Sequence, residues 1–145
     1  MFNVDAAVDF AANNISPTQY EIGRCGHFTA NAIRRGGGLH LPSLPTENDS
    51  ATNYADKLIS VGFEDKGQLQ KADWLKGDVA IVQGITGHPD GHMCIYNGAK
   101  WISDFVQERG VYPNKRYQDE QAPYKIYRYT GDAHTVNRVG LNRVP

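Results

Sequence analysis

A chain of 145 residues is one domain by length, expected over 1–145, with room for a real core and little beside it. Fifteen lysines and arginines stand against 16 acidic residues, a formal charge of −1, so no global field draws it to nucleic acid or anionic lipid. Hydrophobic residues make up 40% and charged residues 21%, which excludes wholesale disorder, and no apolar run reaches the ~20 residues that span a bilayer. Met1 to Asp5 lack the basic and apolar regions of a secretory signal, so synthesis in the cytoplasm and export by a signal-independent route are expected.

In chain order, apolar residues at 4, 7, 8 and 11 predict a helix from Val4 to Asn14, stopped by the Asn pair and Pro17. Residues 25–35 predict a second helix with Phe28, Ala32 and Ile33 on one side, ended by Gly36-Gly37-Gly38. Leu39 to Asn53, with its prolines and polar residues, reads as a surface loop. Asn53 to Val61 repeats Tyr54, Leu58 and Val61 at helical spacing. The character then changes to strand. Asp78 to Gln83 and His92 to Tyr96 are β-rich, and Asn97-Gly98 is a two-residue hairpin signal returning through Trp101 to Val106. Tyr124 to Tyr129 alternates as a half-exposed strand does, and the tail from Gly131 carries no clear signal. Helices first and an antiparallel meander second give α+β.

Two cysteines in a chain of this length do not make a disulfide framework, so each thiol is weighed alone. Cys25 stands in Gly23-Arg24-Cys25-Gly26-His27-Phe28, a glycine-flanked turn opening a helix. A thiol attacks as thiolate, and a helix start supplies unpaired N–H groups and partial positive charge that favour the anion. A nearby imidazole can take the proton. Gly26 lets a substrate backbone approach, and the Cys25 amide can donate to a developing oxyanion. The competing reading of Cys25 is a small buried hydrophobe.

His92 begins a strand whose hairpin partner carries Asp104. A two-residue turn sets the pairing so that His92 lies opposite Ser103, diagonal to Asp104 and near Trp101. Asp104 is the first choice for the group that orients the imidazole. Ser103 and Gln107 are weaker candidates, because a one-residue slip reverses the faces. The competing reading of Asp104 is a solvated strand residue. His88 sits in a loop and can line the cleft, whereas His27 is expected at the surface and His40 and His134 in loops as bystanders. His88, His92, Cys94 and Cys25 can be written as a metal set, yet the spacing is unlike zinc pairs, so no metal and no cofactor is expected. A Cys25–Cys94 disulfide is equally disfavoured, and Cys94 reads as a core residue. Neither a phosphate loop nor a basic patch is present.

Ile22-Gly23-Arg24-Cys25-Gly26-His27-Phe28 through Ala32-Ile33 resembles the nucleophile helix of CHAP domains, the cysteine, histidine-dependent amidohydrolases/peptidases of the NlpC-like, papain-related group. Gly77-Asp78-Val79-Ala80-Ile81 resembles their first core strand, and Gly91-His92-Met93-Cys94-Ile95-Tyr96 the strand opened by the catalytic histidine. Trp101 to Phe105 falls where the third, orienting residue occurs, and the match covers residues 16–129. The resemblance implies a papain-like (NlpC/CHAP) fold with N-terminal helices packed on an antiparallel sheet. It implies cleavage of a peptidoglycan amide bond through a thioester acyl-enzyme. Cys25 would attack, His92 would be base and then acid, Asp104 would orient it, and Gly26, His88 and Trp101 would contact substrate. Tyr20, Tyr112 and Tyr117 are further aromatics for a glycan-peptide groove. A signal-less member resembles type VI amidase effectors, whose partner is an immunity protein, or phage lysins. Either would act as a monomer on the periplasm or wall of a target cell. Rival readings are a papain-related protease or transferase acting on proteins, and an inactive binding module.

Overall fold

The computed structural model describes residues 2–15, 25–42 and 50–131, with the backbone but not the side chains of Cys25 and His27. Pro17, Tyr20, the turn at Gly23-Arg24, residues 43–49 of the Leu39–Asn53 loop and His134 in the tail lie outside the described residues. Helix α1 (Val4–Asn13) begins where the Asn3 side chain accepts from the Ala6 amide at 2.9 Å, and it buries Ala7, Val8 and Ala11. Helix α2 (Cys25–Asn31) runs on into a wider π-helical turn over Ala32–Gly36. A Cβ on Gly36 would sit 2.4 Å from the Phe10 Cβ, so that glycine is there for the close approach of α1 as well as for the stop. A 3₁₀ turn (Ala51–Tyr54) leads into α3 (Ala55–Ser60), the third helix the periodicity predicts.

Five strands form one antiparallel sheet in the order β1-β5-β2-β3-β4: β1 (Phe63–Asp65), β2 (Val79–Val82), β3 (His92–Tyr96), β4 (Trp101–Ile102) and β5 (Tyr124–Tyr129). Only β2, β3 and β4 follow one another as a meander. β5 returns to lie between β1 and β2, so it is more deeply buried than its alternation predicts, with Ile126 and Tyr127 both covered.

The hairpin differs from its sequence reading. Tyr96 pairs with Trp101, and the Asn97 side chain accepts from the Ala99 and Lys100 amides at 2.8 and 2.6 Å. That makes a four-residue turn and moves the register by two positions, which preserves the faces. β4 is also shorter than the expected strand through Val106. The chain bends at Ser103–Phe105 and folds back, with the Ser103 amide donating to the Phe105 carbonyl and the Gln107 amide to the Trp101 carbonyl, both at 2.9 Å.

The helices cover one face of the sheet, packing on Val79, Ile81, Met93, Ile95, Ile102 and Tyr127. The other face packs Ala80, Val82, Cys94, Tyr96 and Ile126 under Val111, Tyr112, Tyr117 and Ala122, part of this cover being α4 (Lys115–Glu120). Neither α4 nor β1 is predicted from the sequence. Among the described residues no helix is long and apolar enough to cross a membrane.

Candidate active site

The start of α2 and the start of β3 both border the 3₁₀ turn. Gly26, next to Cys25 at the start of α2, lies against Tyr54 and Ala51: a Cβ there would stand 3.2 Å from the Tyr54 ring and 3.5 Å from the Ala51 Cα. Thr52 of the same turn lies on the other side, against Gly91, the residue before His92. Gly91 has a φ of +73°, and a Cβ on it would fall 2.4 Å from the Val82 carbonyl oxygen and 2.8 Å from the Thr52 methyl. Only glycine suits both the dihedral and the space. One turn into α2, the Thr29 hydroxyl donates to the Met93 carbonyl at 3.2 Å, tying the helix to β3 one residue past the histidine.

His92 is fully buried. Its Nε2 lies 2.6 Å from the Gln107 Oε1, and the Gln107 Nε2 donates to the Gly110 carbonyl at 2.8 Å. The partner described on this imidazole nitrogen is thus Gln107, the weaker candidate in sequence. The signal that would have found it is the fold-back at 103–107, which hairpin register cannot reveal. Asp104 lies in the bend and is only 2% exposed, so it is not a solvated strand residue. The Tyr117 ring stands over the site, its centroid 6.3 Å from His92 and 5.9 Å from His88. His88 is exposed, on a tight turn closed by reciprocal bonds with Ile85 at 3.0 and 2.9 Å.

Trp101 is 1% exposed and packs edge-on against Trp74 at 5.2 Å and tilted against Tyr96 at 4.9 Å, so its ring surface is occupied by neighbours. Tyr112 is buried and donates to the Ala122 carbonyl at 2.9 Å; its burial pushes the phenol up from its ordinary pKa. Cys94 is buried in β3, its Sγ 3.9 Å from the Val111 carbonyl oxygen. Among the described residues no three His, Cys, Asp or Glu side chains group so as to hold a metal ion.

A second buried polar cluster lies at the other end of β2, beside Tyr96, whose amide donates to the Asp78 carbonyl at 2.9 Å. Asp78, with no exposed surface, takes a two-pronged hydrogen bond from Arg128, both contacts at 2.8 Å, and accepts from the Leu75 amide at 2.9 Å. The hydrogen bond to that carboxylate raises the Arg128 pKa above its ordinary value.

No protein-family model matches the chain, and no curated protein does. Solved structures do. The crystal structure of the type VI native effector-immunity complex Tae3-Tai3 from Ralstonia pickettii aligns at TM-score 0.76 and 38% identity, over 88% of this chain and 99% of that one. The selenomethionine form of the same complex gives TM-score 0.73 at 38% identity, covering 86% and 100%. The crystal structure of Ly7917 with the hydrolyzing product of MDP aligns at TM-score 0.54 and 14% identity, over 88% of this chain and 63% of that one, a likeness of fold alone. The chain belongs to the family of the type VI effector Tae3.

Proposed function

We propose that this chain is a cell-wall hydrolase, a cysteine amidase or endopeptidase that cuts a peptidoglycan amide bond and serves as an antibacterial toxin of type VI secretion. Its fold is read as papain-like of the NlpC/CHAP kind, one domain over 1–145. The observation that carries this reading is the junction of the α2 start and the β3 start across Ala51–Tyr54, with the His92 ring held by a side-chain hydrogen bond. Membership of a type VI effector family supports the toxin role.

In the mechanism, Cys25 attacks the substrate carbonyl as thiolate and the first amides of α2 receive the oxyanion. His92 takes the thiol proton and returns it to the leaving amine, giving a thioester that water hydrolyses. Asp104 supplies a buried negative charge that stabilises the imidazolium. His88, exposed beside Tyr117, and Gly26 border the substrate, while the Trp101 ring packs against Trp74 and Tyr96. No cofactor enters these steps. A cognate immunity protein is the expected partner, since the related effector is complexed with one, and the site of action is the periplasm of a target cell.

Incubating purified sacculi with the wild type and Cys25→Ala, then separating the muropeptides, tests the reading. Release of a defined product by the wild type alone is the expected result. Intact sacculi after treatment with folded wild type would overturn it.

A further inference from the structure

We propose that Gln107 is the positioning residue that fixes the tautomer and the plane of His92, an inference that rests on reading His92 as the base. The Gly110 carbonyl only accepts, so the amide end 2.8 Å from it must be the NH2 group of Gln107. That leaves the Gln107 Oε1 facing His92 at 2.6 Å. A carbonyl oxygen also only accepts, so the proton of the neutral ring sits on His92 Nε2. Nδ1 then carries the lone pair and is the atom that acts as base.

Gln107 is itself anchored. It is 1% exposed, and its backbone amide donates to the Trp101 carbonyl at 2.9 Å, pinning the residue beside β4. Both ends of its amide are committed, so the ring on β3 is read against a fixed point on the folded-back strand. Glutamine suits this place in a way its near relatives do not. Glutamate would turn an acceptor toward the Gly110 carbonyl, and asparagine is one methylene short of spanning both partners. Being uncharged, Gln107 orients the ring without placing a second charge against it.

The decisive measurement is the imidazole ¹⁵N–¹H spectrum of the full chain at a pH where His92 is neutral, for wild type and Gln107→Met, with thermal melting as the fold control. The wild type is expected to show the Nε2–H tautomer, and Gln107→Met a mixture or the Nδ1–H form. Muropeptide release by the folded variant should fall by about 10–10²-fold. A wild-type ring protonated on Nδ1 overturns the assignment even if the variant does not fold, and so does an unchanged tautomer in a folded variant. The spectrum needs no substrate. Wild type that keeps the Nε2–H tautomer yet leaves sacculi intact would therefore sink the hydrolase reading and support the positioning role.

Discussion

The face of the sheet covered by α1, α2 and α3 presents Val79, Ile81, Met93 and Ile95, and the helices seal it with more apolar surface. Across the same strands the opposite face interleaves Ala80, Val82 and Cys94 with His92 of β3 at one end, and the Asp78–Arg128 pair closes the other end. The first arrangement holds the molecule together chiefly by burial, at roughly 25 cal/mol per Å² of apolar surface. The second buries polar groups whose desolvation cost is offset only while each partner is present. Apolar packing fixes where the strands run, and paired polar groups fix how one imidazole is held.

The largest effect should come from the pair itself. His92→Ala is expected to lower muropeptide release at least about 10³-fold, roughly 4 kcal/mol of transition-state stabilisation. Activity in folded His92→Ala within tenfold of wild type would remove the histidine from the chemistry.

Next is the ion pair under β2. Arg128→Ala leaves the Asp78 carboxylate buried without its two-pronged partner. A loss of about 3–5 kcal/mol is expected, read as a fall of roughly 10 °C in Tm. A Tm within about 2 °C of wild type would mean water or a rearrangement replaces the guanidinium.

Gly91→Ala should cost about 1–3 kcal/mol, from the positive φ and the overlap with the Val82 carbonyl. It should also reduce activity more than stability accounts for, because the strand it displaces begins with His92. Equal losses in both would make Gly91 a structural residue only.

The helical face supplies the smallest test. Burial, with the charges of Asp65 and Asp56, pushes the Tyr127 phenol up to about 12. An unfolded tyrosine titrates near ~10, so between ~10 and ~12 the unfolded chain loses a proton that the folded one keeps. That contribution to stability is complete below ~10 and falls as pH rises through the window. Tyr127→Phe should flatten the alkaline limb of a Tm–pH curve, and an unchanged limb would assign it to other groups.

The regular parts of this division are legible in the sequence. Spacing at 4, 7, 8 and 11 gives α1 to within a residue, and the β-rich runs give β2 and β3, because each is a local pattern backed by burial. The site is legible at the strand start, where His92 follows a glycine. Its support is not. The turn after Tyr96 takes four residues because the Asn97 side chain binds two following amides, which a dipeptide signal does not encode. The fold-back that brings Gln107 to His92 depends on backbone bonds at Ser103 and Gln107. α4 did have a signal: Asn114, whose side chain accepts from the Tyr117 amide at 3.1 Å. β1 has three residues, too few for any period to register.

The central claim, that the thiol at the α2 start and the imidazole at the β3 start act as one unit, is tested most directly by alkylation of Cys25. Its rate is followed against pH in wild type and His92→Ala, with the modified peptide identified by mass so that Cys94 is counted separately. The paired site predicts a Cys25 that reacts well below the ordinary thiol pKa of about 8.5, and at least about tenfold faster near neutral pH than in His92→Ala. Identical pH–rate curves for the two proteins would contradict it.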